Sequence, residues 1–65
     1  MEYEVVIDKH WSGNTYNVQL NAYERNGYGV SHGRAFDVSY KEATKVAEKQ
    51  SSIYGAKITN KTGRK

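Results

Sequence analysis

The chain has 65 residues, no Cys and no Pro, and its ten Lys and Arg against seven Asp and Glu give a formal charge of +3. That length bounds it at one domain, and a domain of this size buries only about 60% of the surface its unfolded chain exposes. Without cysteine there is no disulfide framework and no thiolate metal site; without an apolar run of about 18 residues or an apolar segment behind a basic start, neither a membrane span nor a signal peptide is expected. The composition suits the cytoplasm. Six Tyr, one Trp and a spaced set of Val, Ile and Leu can build a small core, so disorder is not expected either.

The first element is a strand over residues 3–11. Tyr3, Val5, Ile7 and Trp11 share one face, and Glu2, Glu4, Asp8 and His10 the other, with Val6 as an apolar exception. Ser12-Gly13-Asn14 supplies turn residues that tolerate positive φ. Residues 15–24 alternate most cleanly: Tyr16, Val18, Leu20 and Ala22 point one way, Asn17, Gln19, Asn21 and Tyr23 the other. Asn26-Gly27 then signals a two-residue hairpin turn. A third strand over 28–37 starts an inward set at Tyr28 and Val30, and Gly29 and Gly33 allow a bulge that brings Ala35 or Phe36 to the core.

Ser39-Tyr40-Lys41-Glu42 matches a capping box, with Ser39 as N-cap and Glu42 three residues on. The helix it opens runs to about Tyr54, buries a stripe of Ala43, Val46, Ala47, Ile53 and Tyr54, and ends at Gly55 in the C′ position. Ala56-Lys57-Ile58-Thr59 reads as a short closing strand or a packed extension, and 60–65 as a flexible basic tail behind a single domain at 1–59. The expected fold is α+β: a three-stranded antiparallel meander (β-β-β-α) whose apolar face is covered by one amphipathic C-terminal helix. Its core is Val5, Ile7, Val18, Leu20, Val30, Val46, Ala47 and Ile53.

No catalytic constellation is visible. His10 and His32 fall in different strands with no carboxylate at metal or catalytic spacing, and Asp8-Lys9-His10 lacks a nucleophile. The glycines of Gly27-Tyr28-Gly29-Val30-Ser31-His32-Gly33 do not have dinucleotide-binding spacing, and no βαβ unit surrounds them. An enzyme is therefore not expected, nor a metal or cofactor. Charge is the stronger signal. Residues 1–40 hold three bases against five acids, net −2, while residues 41–65 hold seven against two, net +5. Lys41, Lys45 and Lys49 recur at i, i+4 and i+8, a stripe on one helix face whose mutual repulsion an anionic partner would relieve. The second candidate surface is the polar sheet face, where Asn17, Gln19, Asn21 and Tyr23, joined by Arg34 and His32, could bond base edges or stack on bases.

The order strand-strand-strand-helix, with Phe36, Ser39, Glu42, Ala43 and Ala47 in register and Ile53-Tyr54-Gly55-Ala56 at the helix exit, resembles the three-stranded DNA-binding domain of AP2 proteins and of tyrosine-recombinase amino-terminal domains. That resemblance implies a sheet face in the major groove, here Asn17, Gln19, Asn21, Tyr23 and Arg34, although the family places several Arg there. Ser39-Tyr40-Lys41-Glu42-Ala43-Thr44 is also similar to the Ser-Lys-Lys-Glu-Ala-Lys segment of double-stranded RNA-binding domains, which implies Lys41 and Lys45 on phosphates; that family's first helix is missing here. The expected function is a small nucleic-acid-binding module of phage or mobile-element type, with duplex DNA favoured over RNA. Planar amides tip the expectation towards the sheet face over the helix stripe. The rivals are a protein-binding inhibitor or adaptor that docks on a host factor through Trp11, Tyr23 and the strand edges, and an assembly subunit whose tail contacts neighbours.

Overall fold

A computed structural model describes residues 2–63. Along the chain run β1 (Glu2–Lys9), β2 (Tyr16–Tyr23), β3 (Gly29–Val38), α1 (Tyr40–Tyr54) and β4 (Lys57–Asn60). The first three strands form the antiparallel meander, and the class is α+β. Residues 57–60 form a true fourth strand, parallel to β1, so the sheet order is β3-β2-β1-β4. α1 is thus a crossover that carries the chain from the β3 edge over β2 and β1 to the β4 edge.

The clean alternation of β2 sets the register. Val5 lies opposite Leu20, Ile7 opposite Val18 and Tyr3 opposite Ala22, which gathers the apolar side chains under α1. Buried there are Val5, Ile7, Tyr16, Val18, Leu20, Ala43, Ala47 and Ala56, with Tyr3, Ala35, Val38, Tyr40 and Val46 packed around them. Ala43 and Ala47 are fully buried. Their small side chains let the helix lie close on the sheet. Aromatic pairs hold both helix ends: Tyr40 in the first turn meets Tyr16 edge-on at 5.1 Å, and Tyr54 in the last turn meets Tyr3 at 5.0 Å. Fourteen helical steps span ~21 Å and the six strand steps from Tyr3 to Lys9 ~20 Å, so the pairs fall at matching separations.

Ser39 caps α1 as its position predicts: its backbone is extended and its Oγ accepts the Glu42 N–H at 3.2 Å. No reciprocal bond from the Glu42 carboxylate to Ser39 is present among the described residues, so only half of the capping box forms. Gly55 takes the left-handed conformation, φ 63°, and the N–H of Ala56 reaches back to the Ser51 carbonyl at 3.1 Å.

Several expectations need correction. β1 ends at Lys9, and Trp11 sits in the turn, 90% exposed, against the His10 ring. The β2–β3 loop has three residues: Glu24 N–H donates to the Tyr28 carbonyl, Asn26 keeps negative φ, and only Gly27 is left-handed at 83°. That geometry is the three-residue hairpin loop, because a two-residue turn of the expected kind needs two left-handed positions. Val30 and Ile53 stay exposed: Val30 lies beyond the part of the sheet that the helix covers, and Ile53 lies in the last turn on the flank of α1, to the side of the buried Ala43 and Ala47. Val6, on the opposite face, is 2% exposed because it sits on a central strand between Gln19 of β2 and Thr59 of β4. Past the sequence-drawn boundary at 59, the chain remains tied down. Lys61 N–H donates to the Ile7 carbonyl, and Thr62 is buried with its N–H on Asn60 Oδ1. Arg64 and Lys65 lie outside the described residues.

Candidate nucleic-acid interface

Asn17, Gln19, Asn21 and Tyr23 do share the sheet face turned away from α1, but they are bonded to one another and to their neighbours. Gln19 Nε2 donates to Asn21 Oδ1 at 3.3 Å, Asn21 Nδ2 to the Tyr23 hydroxyl at 3.3 Å, and Ser31 Oγ to Asn21 Oδ1 at 2.7 Å. Asn21 is only 7% exposed. Asn17 Oδ1 accepts the Asp37 N–H at 3.0 Å and lies 3.0 Å from His10 Nδ1. Glu4 closes the lattice, taking the Tyr23 hydroxyl on one oxygen at 3.3 Å and the Thr59 hydroxyl on the other at 2.6 Å. These bonds hold the Glu4 carboxyl below its usual range, the Thr59 hydroxyl contributing most, with Tyr23, the Lys57 charge and Asn21 adding and burial opposing. Glu2, Glu4 and Asp8 all stand on this face, opposite Tyr23, Asn21 and Asn17.

Arg34 is not among them. The strand keeps register as far as Gly33, opposite Gln19; one shift falls between Gly33 and Ala35 and a second between Ala35 and Val38. Arg34 therefore stays on the helix side, its guanidinium 6.0 Å from the Tyr54 ring centroid, and His32, opposite Leu20, is on that side too. The two rim an open groove beside α1 with Tyr3, Ala22, Val30 and Tyr54. Phe36 goes the other way: the tip of its ring occupies the space where a Gly33 side chain would stand, on the polar face and 64% exposed. Ser31 follows from the alternation that puts Val30 inward, but nothing in that alternation marks Phe36 or Thr59 as members of the face, since they depend on the irregular end of β3 and on the pairing of β4.

Lys41, Lys45 and Lys49 are all exposed on α1, on the side opposite the buried Ala43 and Ala47. Among the described residues none of the three makes an ion pair or side-chain hydrogen bond. Over eight helical steps they span ~12 Å along the axis. Lys57 is separate: it lies on β4 opposite Glu4, across the sheet. Lys57 and the three helix lysines thus lie on two sides of the molecule. Among the described residues, no group of three or more His, Asp or Glu could hold a metal ion, and no helix is long and apolar enough to cross a membrane. No family model, curated protein or solved structure matches this chain.

Proposed function

We propose that this is a non-catalytic nucleic-acid-binding module that grips the phosphates of a duplex through the outer face of α1. The observation that carries it is the unpartnered line of Lys41, Lys45 and Lys49, which meets solvent along its length. Two features argue against the amide face as the primary contact. Its amides already have partners, and its carboxylates, Glu2, Glu4 and Asp8, repel a polyanion. Binding through phosphates alone is sequence-independent. The test is a salt titration of affinity for duplex DNA, duplex RNA and single strands. Lys41/Lys45/Lys49→Ala should flatten the log K against log salt slope by about 2–3, while Asn17/Gln19→Ala leaves it unchanged. Failure of the wild type to bind any of them at ~100 mM salt, or an unchanged slope in the lysine variant, overturns the reading.

One observation favours a second reading, a protein-binding adaptor. Trp11, Tyr28, Phe36 and Ile53 are all largely exposed, and aromatic anchors dominate protein interfaces. This reading predicts little binding to any nucleic acid.

A further inference from the structure

We propose that the free edge of β3 is an interface between two copies of this chain, in which Gly29–Gly33 of each pair antiparallel about a two-fold axis through Ser31. The proposal does not rest on nucleic-acid binding.

The direction of the edge groups follows from the hairpin. Glu24 N–H donates to the Tyr28 carbonyl at 2.9 Å, so Glu24 and Tyr28 are a hydrogen-bonded pair. Antiparallel pairs alternate. With Ala22 opposite Val30, Asn21 opposite Ser31 and Leu20 opposite His32, the backbones of Val30 and His32 face β2, and those of Gly29, Ser31 and Gly33 face outward. The same alternation, started from the His10 N–H bond to Thr15 at 2.9 Å, turns Asn17, Gln19, Asn21 and Tyr23 towards β1, which agrees.

Those outward groups belong to Gly-x-Ser-x-Gly, a pattern that reads the same in both directions. Paired about Ser31, Ser31 meets its own copy and Gly29 meets Gly33 of the second copy, and every outward N–H and C=O between them finds a partner. On the helix side Val30 falls opposite His32 of the second copy. At the end of the paired segment Arg34 falls opposite the Tyr28 ring. Cation therefore meets aromatic face, and no like charges are opposed, because residues 26–33 carry no Asp, Glu, Lys or Arg. The usual protections of an edge strand, Pro, Lys or a bulge, are missing from this half of β3. They begin only at Arg34, where the register shifts, and at Asp37, whose φ is 58°. A second copy would also cover Tyr28 and Val30, which the helix leaves open. In such a dimer both helices lie on one side of a continuous sheet, so the two lysine stripes face the same way.

The test uses the full chain without nucleic acid. Sedimentation velocity from ~10 μM to ~1 mM should show the wild type moving towards a dimer, as a short interface requires. The chain has no native cysteine, so Ser31→Cys gives one thiol per copy, placed within about 6 Å of its mate across the axis. A short bismaleimide should couple it at least ~10-fold faster than Ser52→Cys on the outer helix face, a proximity effect. Val30→Lys at this half-exposed position should keep the circular dichroism spectrum and abolish both signals, because two lysines then face each other diagonally. A wild type that stays monomeric throughout, equal coupling of the two cysteine variants, or a dimer that survives Val30→Lys overturns the proposal.

Discussion

Glu4 is where three strands of the polar face converge: it sits on β1 and accepts hydroxyls from Tyr23 of β2 and Thr59 of β4. Both bonds are strongest to the ionised carboxylate, which is why its pKa is lowered in the folded chain. The consequence for stability has a definite sign. A folded-state pKa below the unfolded one means that the contribution is complete above the ordinary glutamate value of about 4.3 and fades as pH falls through the lower folded value. Glu4→Gln should therefore lower the urea midpoint at pH 7, and the gap to wild type should narrow as pH falls below the ordinary glutamate range. A gap that stays constant across that range would show that the bonds, and not the charge, matter.

At the scale of the element, β3 is the strand whose course the residues record least. β2 reads plainly because one face is buried and the other wet, so any slip inverts it. The helix reads plainly because Ser39 and Gly55 mark its ends chemically. In β3 the glycines allow a bulge without fixing its place; the register shifts twice, between Gly33 and Ala35 and between Ala35 and Val38, and Arg34 stays beside Tyr54 while Phe36 goes to the polar face. Local residue type does not encode those shifts; the pairing with β2 decides them. Phe36 and Gly33 therefore become coupled. A Cβ on Gly33 would overlap the Cζ tip of the Phe36 ring, so Gly33→Ala must swing the ring away, an off-rotamer or exposure cost of about 0.5–1.5 kcal/mol. Once Phe36→Ala has emptied the space, the same change should stabilise by about 0.4–1 kcal/mol, because Gly33 is not left-handed and alanine restricts the unfolded chain. Additive effects in a double-mutant cycle would place the ring elsewhere.

For the whole molecule, β4 decides whether β1 is a central strand. Without it, β1 would be an edge strand, although Val5, Val6 and Ile7 are among its most buried residues. The four-residue strand was legible only as one of two options, because too few residues alternate to show a period, and its parallel pairing is set by where α1 delivers the chain. The same limit hid Lys57: its place opposite Glu4 separates it from the helix lysines that it follows in sequence. The contribution of this segment can be graded. Ending the chain after Thr59 removes the Lys61 N–H bond to Ile7, the Asn60 Nδ2 bond to the Tyr40 hydroxyl and the buried Thr62, and should cost about 1–3 kcal/mol at roughly 1 kcal/mol per hydrogen bond. Ending it after Gly55 also removes buried Ala56, the Thr59 bond to Glu4 and the whole β1–β4 ladder. A domain of this size has only about 3–10 kcal/mol of stability to lose, so that chain should show no cooperative urea transition at 25 °C. A cooperative transition near the wild-type midpoint would mean that the three-stranded meander and α1 are a sufficient folding unit, with β4 an accessory to it.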